Sequence, residues 1–236
     1  PLEVILCENC SLLQLKHTTN PEVLYREYFY KSGINEMIVE DLKDIVAKAQ
    51  KIVSLKEGDV VIDIGCNDGT LLQQLPKNIF RVGFEPARNL VDQAKEGGNI
   101  IINDFFSFEA LMIKAKIIFC VAMFYDLDNP NKFVSDIAKC LDKNGVWIIE
   151  MRYLPLMLGQ TDIGNLVHEH LEYYSHLSLK QLIEKHGLEI FDVELNDVNG
   201  GSFRTYIRHV GSTLKPMLED RVKQLEIVER STGLGT

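Results

Sequence analysis

A glycine loop between a short apolar run and a helix is the first place where this sequence could do chemistry. Val60–Ile64 is rich in β-branched residues and predicts a buried parallel strand, with Asp63 near its carboxyl end. Gly65 and Gly69 bracket the loop that follows, and glycines let a backbone approach a ligand closely. The order of strand, glycine loop and helix indicates a nucleotide-type site, and a plain strand-to-helix turn is the alternative.

Glu85 favours the ligand interpretation over the plain turn. It lies at the end of the second predicted strand, Phe80–Pro86, where an acidic side chain can accept hydrogen bonds from both hydroxyls of a ribose. A dinucleotide fingerprint would have further glycines at the positions of Asn67 and Thr70, so the loop argues against NAD. The alternative for Glu85 is a strand-end carboxylate that faces water.

Asp104 and Phe105 follow the third predicted strand, Asn99–Asn103. A carboxylate beside an aromatic ring can bind an adenine amino group and cover the face of its ring. A turn followed by core phenylalanines is the alternative interpretation.

A second chemical cluster is His168-Glu169-His170, between the fifth predicted strand and a later helix. Histidine titrates near neutral pH, so an imidazole here can take a proton from a substrate while the neighbouring Glu orients it or binds a hydroxyl. Metal binding is a second possibility, although the sequence offers no third or fourth ligand nearby. A polar loop with satisfied histidines is the third.

Cys7 and Cys10 form a Cys-x2-Cys pair, which is half of a tetrahedral structural zinc site. Cys66, Cys120 and Cys140 fall in the glycine loop, a strand and a helix, so they do not complete it. Two reduced surface cysteines are the alternative. An odd total of five cysteines does not indicate a disulfide framework.

The elements that position these residues alternate along the chain. The predicted strands are Val60–Ile64, Phe80–Pro86, Asn99–Asn103, Ala115–Ala122, Val146–Glu150, Glu189–Leu195 and Ser202–His209. The predicted helices are Glu36–Ile52, one starting at Asn129-Pro130, one opened by a capping box at Ser178–Gln181, and Leu214–Ser231. This order predicts a doubly wound α/β sheet of seven strands, its last two paired antiparallel. In the last helix, Leu218, Val222, Leu225 and Val228 are expected to pack on a partner or a missing domain.

Composition limits the class of protein. The 236 residues are 46% hydrophobic and 25% charged, as in an ordinary globular protein. The net charge of −9 excludes a duplex-binding surface, and a small molecule is the expected partner. The longest apolar run, Ile117–Tyr125, is too short to span a bilayer, and no signal peptide is recognised, so we expect a cytoplasmic protein. The chain begins at Pro1 without a Met, which indicates a fragment.

Several blocks occur in one order that is specific in combination. They are Cys7–Leu15, Tyr28–Gly33, the Asp-x-Gly-x-Asn-x-Gly loop 63–69, His168–Ser175 and Asn199–Arg204. The loop resembles motif I of class I S-adenosylmethionine (SAM) methyltransferases. Together the blocks resemble the SAM-dependent sugar C-methyltransferases, which methylate a carbon next to the ketone of a nucleotide-linked deoxy-keto-sugar.

The resemblance implies a fold, cofactors and domains. The fold is a class I SAM-methyltransferase Rossmann-like doubly wound sheet with a small N-terminal appendage that contains cysteines and helix. The expected domains are a partial zinc-binding module with a helical segment (1–50), the SAM domain (51–210), and a C-terminal helix that starts a truncated further domain (211–236). SAM would be bound by Asp63, Gly65, Asn67, Gly69, Glu85, Asp104 and Phe105, and a structural zinc, incomplete here, by Cys7 and Cys10.

The resemblance also implies a mechanism in which a base removes the proton alpha to the ketone. His170 is the expected base, Glu169 orients it or binds the sugar, and Tyr30 and His168 are further polar candidates. Val167 stands where the family has a tyrosine. A small-molecule O- or N-methyltransferase and a non-catalytic SAM-binding scaffold are the two alternatives. The sequence does not indicate the oligomeric state.

Overall fold

The computed structural model describes residues 2–234, so residue 1 of the predicted N-terminal segment and residues 235 and 236 of the C-terminal one lie outside it. The strands are β1 (Val4–Leu6), β2 (Leu13–Leu15), β3 (Val60–Ile64), β4 (Phe80–Phe84), β5 (Ile100–Ile102), β6 (Ala115–Val121), β7 (Leu141–Arg152), β8 (Glu172–Tyr173), β9 (Leu188–Asn196) and β10 (Ser202–His209). The helices are α1 (Pro21–Tyr25), α2 (Glu36–Ile52), α3 (Thr70–Gln73), α4 (Val91–Ala94), α5 (Pro130–Cys140), α6 (Leu154–Gly159), α7 (His176–Glu184) and α8 (Arg221–Ser231).

The large sheet has seven strands in the order β5-β4-β3-β6-β7-β10-β9. The first five run parallel, and β10 is antiparallel to both of its neighbours. The chain winds outward in one direction from β3 and in the other from β6, so the crevice at their carboxyl ends is the topological switch point of the sheet. The predicted doubly wound sheet with a closing antiparallel pair is confirmed.

Apolar side chains alternate between the two faces of this sheet. One core contains Val61 of β3 and is covered by α2 and α3, and the other contains Ile62 and is covered by α5, α7 and α8. Both strand residues are fully buried, as expected for a parallel sheet with helices on each face. Packing on both faces fixes the carboxyl edge of the sheet, where the candidate site lies.

Two helices begin where the sequence predicts. The side chain of Asn35 accepts from the amide of Met37 at the start of α2, and Asn129 with Pro130 starts α5. The start of α7 was predicted wrongly. Its capping box is formed by Ser175 and Ser178, so the N-cap lies three residues before the predicted one and the helix begins at His176.

The C-terminal helix differs from its prediction in length and in packing. It begins at Arg221 instead of Leu214, and Leu225 packs into the core beside α7 and β9. The carboxylate of Glu229 is buried and accepts hydrogen bonds from the Tyr153 hydroxyl and from the first two amides of α7. These contacts make α8 part of the same fold as the large sheet, while Leu218 and Val228 stay exposed.

A small antiparallel sheet of β1, β2 and β8 holds the N-terminal hairpin. Because β8 directly follows the His168–His170 cluster, the pairing of Leu13 with Tyr173 ties that cluster to the hairpin. Within residues 2–234, no helix has both the length and the apolar character needed to cross a membrane.

Candidate active site

A cavity of about 700 Å³ opens at the carboxyl ends of β3, β4, β6 and β7. Its wall contains six of the seven residues predicted to bind a nucleoside ligand: Asp63, Gly65, Asn67, Glu85, Asp104 and Phe105. It also contains His170 and Tyr30 from the predicted catalytic set. The fold therefore brings the two chemical clusters of the sequence into one space.

Gly69, the seventh predicted ligand residue, does not line the cavity. It has φ +80°, and a Cβ built there would lie 2.8 Å from the backbone of Ala94. Position 69 therefore requires a glycine, both for the left-handed turn and for the close packing of α3 against α4. Gly65, with φ +73°, does line the cavity, and a Cβ there would crowd Met123 at 3.2 Å.

Glu85 is fixed by the backbone on both of its oxygens. Oε2 accepts from the amide of Asn67 at 2.7 Å and Oε1 from the amide of Ala87 at 2.8 Å. Burial raises the pKa of Glu85, and burial together with the charge of Glu85 raises the pKa of Asp63 to about 8. Two buried acids that lack a facing cation suit a positively charged ligand, because a cation would favour their ionised forms. SAM, a sulfonium with a free amino group, fits this requirement.

The side chain of Asn67 is used within the protein. Its Nδ2 donates to the carbonyl of Tyr30 at 3.0 Å, and its Oδ1 accepts from the amide of Ser32 at 2.9 Å. Asn67 has φ +52°, a conformation that Asn tolerates better than most residues. The side-chain amide thus fastens the segment 28–33 across the cavity and the backbone amide orients Glu85, while the role of Asn67 in ligand binding stays a prediction.

Asp104 and Phe105 lie at the outer end of the cavity beside Arg26. The guanidinium of Arg26 donates to Asp104 at 2.9 Å and sits 4.9 Å from the centroid of the Phe105 ring. The half-exposed pair therefore forms a polar edge and an aromatic surface, as the adenine prediction requires.

His170 lies in the cavity wall with its ring held on two sides. Nδ1 is 3.0 Å from the carbonyl oxygen of Asn165, and the Tyr125 ring meets the imidazole edge-on with centroids 4.5 Å apart. Because a carbonyl only accepts, Nδ1 carries a proton and Nε2 holds the lone pair of the neutral ring. Burial lowers the pKa of His170 below its usual value, so the ring is neutral at pH 7.

His168 and Glu169 do not line the cavity, and their predicted roles stay predictions. The amide of His170 donates to the carbonyl of Val167 at 3.2 Å, so a tight turn places residues 168 and 169 at its outer corners. His168 is exposed. Glu169 is half-buried, and its charge acts on His170 by opposing the effect of burial on the imidazole pKa.

Several cavity residues were not predicted from the sequence. Tyr125 and Asp126 follow β6, Arg152 ends β7, and Tyr25 lies on α1. Burial and the charge of Glu169 hold the pKa of Asp126 well above its usual range. Tyr125, Asp126 and Arg152 could have been predicted from their positions in the sequence, because they lie at or after the ends of strands next to the switch point.

Cys7 and Cys10 sit in the turn of the N-terminal hairpin as free, half-buried thiols. Hydrogen bonds from the amides of Cys10 and Asn9 lower the pKa of the Cys7 thiol, a feature that favours a thiolate ligand. Among residues 2–234, no group of three or more His, Cys, Asp or Glu side chains converges as a metal ion would require. The described residues supply two ligands where a tetrahedral zinc needs four, so they do not fit a complete zinc site.

The strand order, the reversed β10 and the acidic residue at the end of β4 define a class I SAM-methyltransferase fold. The chain belongs to the family described as "Methyltransferase domain", whose match spans residues 34–193.

A curated relative is the C-methyltransferase NovU from Streptomyces niveus, with 28% identity over 241 residues. The match covers 99% of this chain and 57% of that protein, so this chain spans a little over half the length of its relative. Among solved structures, magnesium protoporphyrin IX methyltransferase from Synechocystis PCC 6803 with bound SAH has a TM-score of 0.57 and 17% identity, covering 72% of this chain and 83% of that one. A SAM-dependent methyltransferase from Clostridium acetobutylicum has a TM-score of 0.58 and 13% identity, covering 72% and 92%. These two likenesses concern the fold.

Proposed function

We propose that the chain carries out methyl transfer from SAM to a carbon alpha to the ketone of a nucleotide-linked deoxy-keto-sugar. The observation that carries this proposal is a neutral imidazole in the cavity wall, His170, whose Nδ1–H is held by a backbone carbonyl. That contact leaves Nε2 as the only ring nitrogen able to accept a proton. An imidazole fixed in one tautomer is suited to general-base chemistry.

The need for a base separates carbon from other acceptors. An amine or hydroxyl oxygen already has a lone pair, whereas a carbon beside a ketone becomes nucleophilic only when its proton is removed. In the proposed step the C–H bond breaks, the proton goes to Nε2 of His170, and the electron pair of the enolate forms the new carbon–carbon bond. SAM, when bound, would supply the electrophilic methyl group, with its methyl–sulfur bond breaking so that the electron pair stays on sulfur and SAH leaves.

The remaining predicted residues take supporting roles in the proposal. Glu85 would bind the ribose hydroxyls, Asp104 and Phe105 the adenine, and Asp63 the charged part of the cofactor. Glu169 would act on His170 through its charge, as a residue beside the base. The two cysteines would hold zinc only together with a second ligand pair.

Two findings support the carbon acceptor and the substrate class. The relative from Streptomyces niveus is named a C-methyltransferase, and its match extends along nearly all of this chain. The block resemblance supports the sugar. The domain limits 1–50, 51–210 and 211–236 stay a prediction. Because α2 and Leu225 of α8 both pack into the cores of the large sheet, we propose that these two helices belong to the same domain as the sheet.

The test is replacement of His170 by Asn, which keeps a polar side chain and removes the base. Exchange of the alpha proton with deuterated water, measured by NMR on a nucleoside-diphosphate-linked keto-deoxysugar, should slow by about 10²–10⁴-fold. SAM affinity should stay unchanged because Glu85 is untouched. Exchange by the wild type should rise with pH as the imidazole loses its proton, with a midpoint below that of an ordinary histidine, because burial lowers the pKa of His170. The matched control is His186→Asn, a surface histidine outside the cavity.

The outcomes separate the three candidate functions. Methylation at the wild-type rate by His170→Asn would place the base elsewhere and favour an O- or N-acceptor. SAM binding without turnover of any methyl acceptor would favour the non-catalytic scaffold.

A further inference from the structure

Arg152 is a positively charged residue of the cavity wall whose side chain is almost fully buried. It is the last residue of β7 and pairs with Ser202 of β10. Its side chain is 8% exposed, and one terminal nitrogen contacts Asp162. Its Nε is buried and has no hydrogen-bond partner among the described residues. A buried donor without an acceptor is destabilising, so a ligand is expected to complete it.

The Asn-Gly-Gly block makes room for this guanidinium. A Cβ added to Gly200 would collide with Nη1 of Arg152, and Gly200 also has φ +77°. The loop therefore excludes any larger residue at position 200 for two independent reasons. The contact gives a structural reason for the Asn-Gly-Gly block, which contains neither the proposed base nor a predicted cofactor-binding residue.

The cavity around Arg152 is otherwise acidic. Among the described residues that line it, Arg152 is the only Lys or Arg, and the carboxylic residues are Asp41, Asp63, Glu85, Asp104, Asp126, Asp128 and Glu150. Arg152 is close enough to His170 for its charge to act on the imidazole. A single cation with a free donor, beside the base, marks the place where negative charge is accommodated.

We propose that Arg152 is a catalytic residue whose Nε–H donates to the ketone oxygen of the acceptor. It would stabilise the negative charge that moves onto that oxygen when His170 takes the alpha proton. The C–H bond breaks, its electron pair is shared with the oxygen, and the proton remains on Nε2 of His170. This inference rests on the proposed carbon methylation.

The first experiment compares Arg152→Gln and Arg152→Lys with the wild type in alpha-proton exchange, which needs no methyl transfer. Loss of a donor to a developing oxyanion should reduce the maximal exchange rate by about 10²–10³-fold, with a smaller change in KM. Asp162→Asn, which removes only the ion-pair partner, should retain exchange within about fivefold. A role confined to holding the Asp162 loop would instead make Arg152→Gln and Asp162→Asn equal, and that result would overturn the proposal.

The second experiment does not depend on the sugar. Nitrate, a planar oxyanion, is titrated into the SAH-loaded protein while the arginine Nε–H signals are followed by NMR. The Arg152 signal should shift saturably, and the Arg204 signal should not, because Arg204 Nε already donates to Glu150 at 2.5 Å. If no keto-sugar exchanges with wild type but the Arg152 signal saturates, carbon methylation fails while anion recognition by Arg152 stands. An unmoved Arg152 signal would overturn the inference, whatever the substrate proves to be.

Discussion

Replacing Glu85 by Gln tests the cofactor site most directly. Each carboxylate oxygen accepts one backbone amide, from Asn67 or from Ala87, and keeps a second lone pair for one ribose hydroxyl. A glutamine keeps the length but presents an NH₂ group on one side. That group must face either a backbone N–H or the ribose, so at least one charge-assisted bond to the ligand is lost. Such a bond contributes about 1.5–3 kcal/mol, which is an affinity loss of about 10- to 150-fold.

Isothermal titration calorimetry with SAM measures this difference. The control is Asp92→Asn, which removes an exposed carboxylate on α4 that lies outside the cavity. Thermal unfolding of the free proteins shows how far the glycine loop itself is weakened, since Gln also disturbs the contacts of Asn67 and Ala87. Wild-type affinity in Glu85→Gln would refute the assignment of this carboxylate to the ribose.

Three further predictions concern stability and metal binding. Glu229→Ala should lower the free energy of unfolding by about 2–4 kcal/mol, because it removes the acceptor of three buried donors. The control Glu226→Gln, on the same helix, should lower it by under about 1 kcal/mol. Urea titration measures both differences. Burial raises the pKa of Glu172 to about 9, so its ionisation in the unfolded chain opposes folding above pH 4.5. Glu172→Gln should therefore stabilise the protein by up to roughly 3 kcal/mol at pH 7 and by nothing at pH 4, and an equal gain at both pH values would contradict this. A chain with a second ligand pair should hold one zinc, which Cys7→Ser or Cys10→Ser should release in metal analysis by mass spectrometry; a well-folded chain of that kind without zinc would exclude the module.

The large sheet could be predicted because its signals are local. Apolar β-branched runs predicted the strands, and the boundaries of α2 at Glu36 and Ile52 were predicted from apolar residues at helical spacing. The start of α7 was missed because two serines compete. Ser178 and Gln181 match the usual capping pattern, but the box forms between Ser175 and Ser178, which places Leu177 and Leu179 in the core.

The site could be predicted only where its residues follow the fold's own pattern. The position of Glu85 could be predicted, because it ends the strand that follows the glycine loop and its helix in the sequence. Arg152 is different, since its proposed role depends on the space left by Gly200 and on Arg152 being the only Lys or Arg among the described residues that line the cavity. The positions of His168 and Glu169 could not be predicted either, because proximity in sequence to His170 does not decide which side of a turn a side chain occupies.

The N-terminal segment is part of the site although the family match begins only at residue 34. Tyr25, Tyr28 and Tyr30 line the cavity, and the segment is fastened at both of its ends. At one end, Arg26 binds Asp104 and its carbonyl accepts from the amide of Arg88. At the other, Asn67 and Asp68 of the glycine loop bind the backbone of residues 30–33. The loop that orients Glu85 thus also positions three tyrosines over the cavity, so cofactor binding and the shape of the acceptor pocket are coupled through Asn67.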